Sequence, residues 1–331
     1  MAVPIILGAI AAGTAIYGAV KGVSGAMDHS SANDLNDNAQ AMVDSARRRV
    51  DTQRESTNAV LEDYGARKLR AFNGIVAEFI ETFGQLKNVE SIRTPELDKL
   101  ELGDFSKVTL QGLRDDYALL KSSGIGLGSG LGGGAALAFG AYNGTMLLAT
   151  ASTGTAISTL SGAAATNATL AWLGGGSLAA GGGGMALGTM VLGGIVAGPA
   201  LAIFGHIVGN KGEEALNNAR SNMEKARTFK QEADLTCAKL ESLEKVSTLA
   251  NNVFSRISSR LRRAVGNLEG CIQDHGVDYA TYPSEAREEV LRSVKFAQLL
   301  KAMIDTPILD EDGNLVLSTE KRIQEIGDFA A

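Results

Sequence analysis

The alternation of apolar and polar positions divides the chain into charged helical arms around one long uncharged centre. From Ser31 to about Val89, Met42, Val43, Ala46, Val50, Val60, Leu61, Tyr64, Leu69, Phe72, Ile75, Phe79, Phe83 and Leu86 recur mostly at three- and four-residue steps. Charges such as Arg47, Arg48, Asp51, Arg54, Glu55, Glu62 and Asp63 fall between them. That spacing predicts one amphipathic helix of about 90 Å at roughly 1.5 Å per residue. Asn73-Gly74 is its expected weak point, because glycine costs about 1 kcal/mol inside a helix. The pattern breaks between Asn88 and Phe105, where Thr94-Pro95-Glu96 reads as a helix start with Thr94 as N-cap. Ser106 to Lys121 is a short amphipathic helix.

Lys211 to about Asn267 is the second arm. Ala215, Ala219, Met223, Ala226, Phe229, Ala233, Leu240, Leu243, Val246, Ala250, Val253, Ile257, Leu261 and Val265 form a heptad-like stripe, the mark of a coiled-coil seam. Gly270 to Pro283 reads as a break, Ser284 as the cap of a further helix ending near Ile304, and Glu320 to Ile326 as a short last helix. Because the arms are of similar length, the simplest geometry packs them antiparallel with the apolar segment at one tip. The expected fold is all-α: an elongated bundle of long antiparallel amphipathic helices carrying a Gly/Ala-rich hydrophobic helical hairpin insertion. The expected divisions are 1–27, an N-terminal apolar helix; 28–121, the first coiled-coil arm; 122–210, the insertion; 211–270, the second arm; and 271–331, C-terminal helices and tail.

Composition changes the picture most in the centre. Ser122 to Asn210 holds no Asp, Glu, Lys or Arg in 89 consecutive residues, and 24 of the 40 glycines lie there. A soluble domain of that size needs charge on its outside, so the segment is either covered by other protein or sits in lipid. Leu131–Thr150, Thr155–Leu173 and Met185–Val208 are three apolar runs, divided by Thr153-Gly154 and by the glycine-rich Gly174–Gly184; Pro199 should kink the last. Glycines recur four apart at Gly126/Gly130/Gly134, Gly140/Gly144, Gly184/Gly188, Gly194/Gly198 and Gly205/Gly209. Such spacing makes flat helix faces that let two backbones meet in a membrane; packing inside a soluble bundle is the competing reading. A flexible linker would not hold so many Leu, Ile, Val and Met residues. Residues expected to insert and pack are Gly140, Gly144, Trp172, Gly184, Gly188, Gly194, Gly198, Pro199, Gly205 and Gly209. Val3 to Val20 is a further apolar run without a positive segment before it, which fits a membrane-associated helix better than a secretory signal.

Charge and candidate chemistry narrow the classes further. A net charge of -6 leaves no basic footprint for nucleic acid. Arg47-Arg48-Arg49 and Arg256, Arg260, Arg262 and Arg263 are basic clusters that either touch anionic headgroups or form solvated helix faces. Cys237 and Cys271 read as free thiols, and His29, His206 and His275 are isolated. Asp310, Asp312 and Asn314 imitate a calcium loop, but Lys321 stands where the twelfth-position Glu belongs, so a hairpin-like turn is the better reading. No phosphate-binding loop, nucleophile elbow or dinucleotide fingerprint is present. No enzyme activity, cofactor or metal is expected.

Long amphipathic helices bracketing a hydrophobic insertion resemble bacterial α-helical pore-forming toxins of the cytolysin A type and, more loosely, colicin-type channel domains. The resemblance lies in the Ser31–Val89 arm, the Ser122–Asn210 stretch and the Lys211–Asn267 arm, and the stretch is longer and richer in glycine than a simple tongue. It implies membrane localisation, a lipid bilayer and further copies of the chain as partners, and a bilayer that is permeabilised or remodelled. The alternative is a constitutive integral membrane scaffold whose cytosolic coiled-coil arms bind a partner protein.

Overall fold

The computed structural model describes residues 26–122, 139–141, 212–310 and 314–330. Among the described residues the chain is all-α apart from one two-residue strand pair. In order come α1 (Ala26–Ala71), a π-helical turn (Phe72–Val76), α2 (Ala77–Phe83), β1 (Ser91–Ile92), a 3-10 helix (Pro95–Leu100), β2 (Phe105–Ser106) and α3 (Lys107–Ser122). Then follow α4 (Gly212–His275), a 3-10 turn (Tyr279–Thr281), α5 (Ser284–Asp305) and α6 (Thr319–Phe329). The expected weak point is the π turn, which contains Asn73 and Gly74. The first arm stops at Phe83 instead of Val89. Gly84 follows, and a Cβ there would lie 2.3 Å from Arg114 Nη2 and 2.7 Å from the Ile80 carbonyl.

The chain forms two compact units, and both arms contribute to each. One comprises Met1–Thr57 with Gly194–Glu244, the other Asn58–Gly193 with Lys245–Ala331. In the first, α1 and α4 meet along small residues. Ala32, Ala39 and Ala46 are buried at seven-residue steps on α1, and Ala219, Ala226 and Ala233 at the same steps on α4. Ala39, Val43 and Ala226 form a core cluster, with Met42, Met223 and Phe229 packed on it. Side-chain size permits this: alanine lets two helices approach closely but buries little apolar area.

In both units α1 runs parallel to α4, which corrects the antiparallel expectation. Asn222 donates to Asn36 (3.0 Å) and Gln53 to Glu244 (2.6 Å) in the first unit. Asn251 donates to Asp63 (2.6 Å), Arg67 to Ser255 (3.3 Å) and Thr82 to Glu269 (3.3 Å) in the second. Partner numbers rise together, which only parallel helices allow. The expected geometry, an apolar tip between antiparallel arms, therefore does not apply, and most of Ser122–Asn210 lies outside the described residues.

The second unit has a large-residue core. Leu61, Tyr64, Leu69, Ile75 and Phe79 of the first arm and Phe254, Ile257, Leu261 and Leu268 of α4 are all essentially without exposure, and Tyr64 meets Phe254 edge-on at 5.8 Å. Helix α5 packs antiparallel to α4, shown by Asn267 donating to Glu289 (2.8 Å) and by Arg260 over the Phe296 ring. The strand pair joins Ser91 to Ser106 and Ile92 to Phe105. It seats Phe105 against Phe79 and Phe83 at centroid distances of 5.7 and 5.3 Å.

Thr94 stands at the N-cap of the Pro95–Leu100 helix as expected, with no capping bond from its side chain; its hydroxyl donates to Gln298 Oε1 at 3.2 Å. Two local readings need correction. Ser284 is the first residue of α5, with Pro283 at the cap position and no side-chain cap bond. Gly270 does not end the second arm, which runs on to His275. The stop is Gly276, at φ 76°, whose N–H closes onto the Ile272 carbonyl at 2.9 Å. A left-handed residue ends a helix, whereas a glycine in helical conformation only weakens it. The Asp310–Asn314 turn is hairpin-like, with Asn314 N donating to Asp310 Oδ1 (2.8 Å) and Leu309 bridged to Leu315.

Candidate functional site

Of the residues expected to insert and pack, Gly140 is described. Gly144, Trp172, Gly184, Gly188, Gly194, Gly198, Pro199, Gly205 and Gly209 lie outside the described residues, as do the N-terminal apolar helix and the other glycine pairs of the centre. Phe139–Ala141 is helical and buried against α1. A Cβ on Gly140 would stand 2.0 Å from the Leu61 carbonyl oxygen and 3.1 Å from the Gly65 nitrogen. The Gly140 backbone therefore lies directly on the α1 backbone, an approach that any side chain would block. Gly140 thus packs two helical segments of this same chain within the second unit. Phe139 meets the Phe72 ring edge-on at 6.5 Å. The Ala141 carbonyl accepts from Ile308 N and Leu309 N, both at 2.9 Å.

Buried polar groups lie on the same stretch of α1. Lys68 is fully buried, its Nζ 4.4 Å from the centre of the Tyr64 ring and 3.4 Å from the Ile304 carbonyl, to which it donates. Tyr64 donates its hydroxyl to the Met303 carbonyl at 3.2 Å. Burial lowers Lys68 to a pKa of about 7, against a smaller opposing pull from Asp305. Burial also raises the Asp305 carboxyl, more than Lys301 lowers it. Lys301 holds Asp305 at 2.6 Å and Asp116 of α3 at 3.2 Å. Burial acts to lower Lys301, but those two carboxylates outweigh it and leave its pKa raised. Asp305 Oδ1 is buried with no hydrogen-bond partner among the described residues. The cluster holds a titratable proton near neutrality on the helix that seats Phe139–Ala141.

Lys68 and Asp305 were not legible as site residues. Lys68 does occupy a seam position, four after Tyr64 and four before Phe72. A lysine inside an apolar stripe was the available signal, and it reads equally as a long stem reaching solvent.

The basic clusters separate. In the first unit Arg47 pairs with Asp51 at 3.7 Å and Arg49 with Asp234. In the second, Arg256 donates to the Gly327 carbonyl (3.3 Å), whereas Arg260 and Arg263 face α5. Cys237 and Cys271 are free thiols. Among the described residues no His, Cys, Asp and Glu group could hold a metal, and no helix is long and apolar enough to cross a membrane. No family model matches the chain, and no curated protein or solved structure shows significant similarity to it.

Proposed function

We propose that the chain is a membrane-inserting helical protein that assembles through glycine-rich helix faces and permeabilises or remodels a bilayer. The observation that carries this reading is the 89-residue charge-free stretch Ser122–Asn210 joined to charged helices. Arrangement of the first unit adds support. With α1 and α4 parallel and Asn36 beside Asn222, the two helices begin side by side. An apolar run leads into each: Val3–Val20 before α1 and Met185–Val208 before α4. Gly140 illustrates the packing chemistry, although its partner is α1 of the same chain.

Dye release from phospholipid vesicles tests the proposal. Purified protein should release dye and sediment with the vesicles. If it does neither, with anionic or with neutral lipid, the membrane-inserting reading is wrong. The long small-residue seam supports a second reading, an integral scaffold whose arms bind a protein. Vesicle binding without release, together with a cellular pool wholly resistant to carbonate extraction, would favour that scaffold.

A further inference from the structure

Between α4 and α5 of the second unit lies a surface basin of about 780 Å³. Arg260 and Arg263 stand on one wall, Arg292 and Lys295 on the other. Both pairs are three residues apart, so each presents two cations from one helix face. Phe296 and Ala264, both buried, lie at the bottom. Asn267 bridges to Glu289 toward one end (2.8 Å), and toward the other the Thr94–Glu96 turn meets α5 through Thr94 to Gln298 and Glu96 to Lys295.

The charges in the basin are only partly spent. Lys295 pairs with Glu96, and Arg292 with Glu289 at 2.6 Å. Arg260 lies over the Phe296 ring at 5.9 Å. Arg263 is exposed and makes no ion pair or hydrogen bond with any described residue. Four cations face three carboxylates, Glu96, Glu288 and Glu289, which leaves one net positive charge in a chain whose overall charge is -6. Local positive charge thus accumulates against the sign of the whole molecule.

We propose that this basin binds a compact anion carrying two or more phosphate groups. Guanidinium forks engage phosphate oxygens in pairs, and cations on opposing walls can grip separate phosphates of one ligand. A basin of about 780 Å³ with its cations on two facing walls suits a compact ligand better than an extended acidic peptide. Phosphates of this kind occur free or on a phosphoinositide headgroup, and the site chemistry is the same for both. The inference stands independently of membrane insertion.

Titration calorimetry with inorganic tripolyphosphate, alongside sedimentation with phosphatidylcholine vesicles with and without phosphatidylinositol bisphosphate, tests it on the full chain. Binding to tripolyphosphate supports a free anion as ligand, and binding to the bisphosphate vesicles alone supports a headgroup. Binding to neither overturns the proposal. Arg263→Glu and Arg292→Glu should each weaken binding by about tenfold or more, the scale of one lost charge-assisted contact. Glu288→Gln should tighten it, since it removes an anion from the wall. The control pair Arg47→Glu and Arg48→Glu, in the first unit, should leave affinity unchanged. An equal loss in the control, or no loss in the basin variants at unaltered melting temperature, would show general attraction instead of a site.

Discussion

The two compact units use the same pair of helices differently. In the first, α1 and α4 meet through Ala39, Val43 and Ala226, with the polar pair Asn36 and Asn222 beside them. In the second, the same helices bring Tyr64 against Phe254 at 5.8 Å and bury Leu61, Ile257 and Leu261. Buried apolar area sets the difference, since each added CH2 contributes about 0.8 kcal/mol. The second unit has the larger residues to stabilise it, and it also holds the costly group, Lys68. The first has little to lose and little to strain. Stability is thus concentrated where the described part of the uncharged stretch is seated.

The sharpest test of this contrast compares truncations. Leu261→Ala in the second unit should cost about 2–5 kcal/mol. Ala226→Gly in the first should cost about 1 kcal/mol, mainly through helix propensity. Chemical denaturation of the two variants checks both, and equal losses would erase the distinction.

Replacing the buried amine comes next. Lys68→Met should stabilise the protein at neutral pH by about 1–4 kcal/mol, because a buried charge gives way to an apolar chain of similar length. The sign follows from linkage. In the unfolded chain Lys68 binds its proton below the ordinary lysine value of 10.5, but in the fold only below about 7. The native protein should therefore lose stability as pH falls from about 10 to 7 and level off below that. The facing groups act elsewhere or in the opposite sense. The raised Lys301 pKa contributes stability that is present below 10.5 and lost at higher pH. The raised Asp305 pKa contributes stability that is present below its ordinary value of 3.8 and lost as pH rises through its folded value. Melting temperatures of Lys68→Met across pH 7–10 should be flatter than those of the native chain; parallel curves would mean that Lys68 is not desolvated.

A smaller effect is expected at the seat itself. Gly140→Leu places a side chain where the Leu61 carbonyl stands, at a cost of about 1–3 kcal/mol for overpacking. Hydrogen exchange at residues 61–65 of α1 should quicken while the Leu261 region stays protected. Unchanged exchange at 61–65 would mean that Gly140 does not rest on α1.

Much of the local structure was legible. The three- and four-residue steps of Leu61, Tyr64 and Phe72, and the seven-residue steps of Ala219, Ala226 and Ala233, are direct consequences of helix geometry. So are the π turn at Asn73-Gly74 and the short helix α3. The expected break at Gly270 falls instead at Gly276, because composition does not say which glycine takes a positive φ. The site was less legible. Gly140 was readable as a packing glycine, but not that its partner is Leu61–Gly65 of the same chain. Lys68 acquires its character from Tyr64 on its own helix and from Ile304 and Asp305 on α5, which are far away in sequence.

By itself the sequence determined that this is a helical protein, that the first long helix is weakest at Asn73-Gly74, and that 89 residues between the arms carry no formal charge. Amphipathic periodicity and side-chain ionisation are local properties, so no partner is needed to read them. Tertiary structure alone decided that α1 and α4 run parallel, that Lys68 is enclosed, and that α4 and α5 face each other across a basic basin. An apolar stripe buries equally well against a partner of either direction. The choice between directions, and the neighbours that lower the Lys68 pKa or make an arginine cluster a basin, come from contacts more than a hundred residues apart for the arms and Lys68, and from the packing of neighbouring helices for the basin.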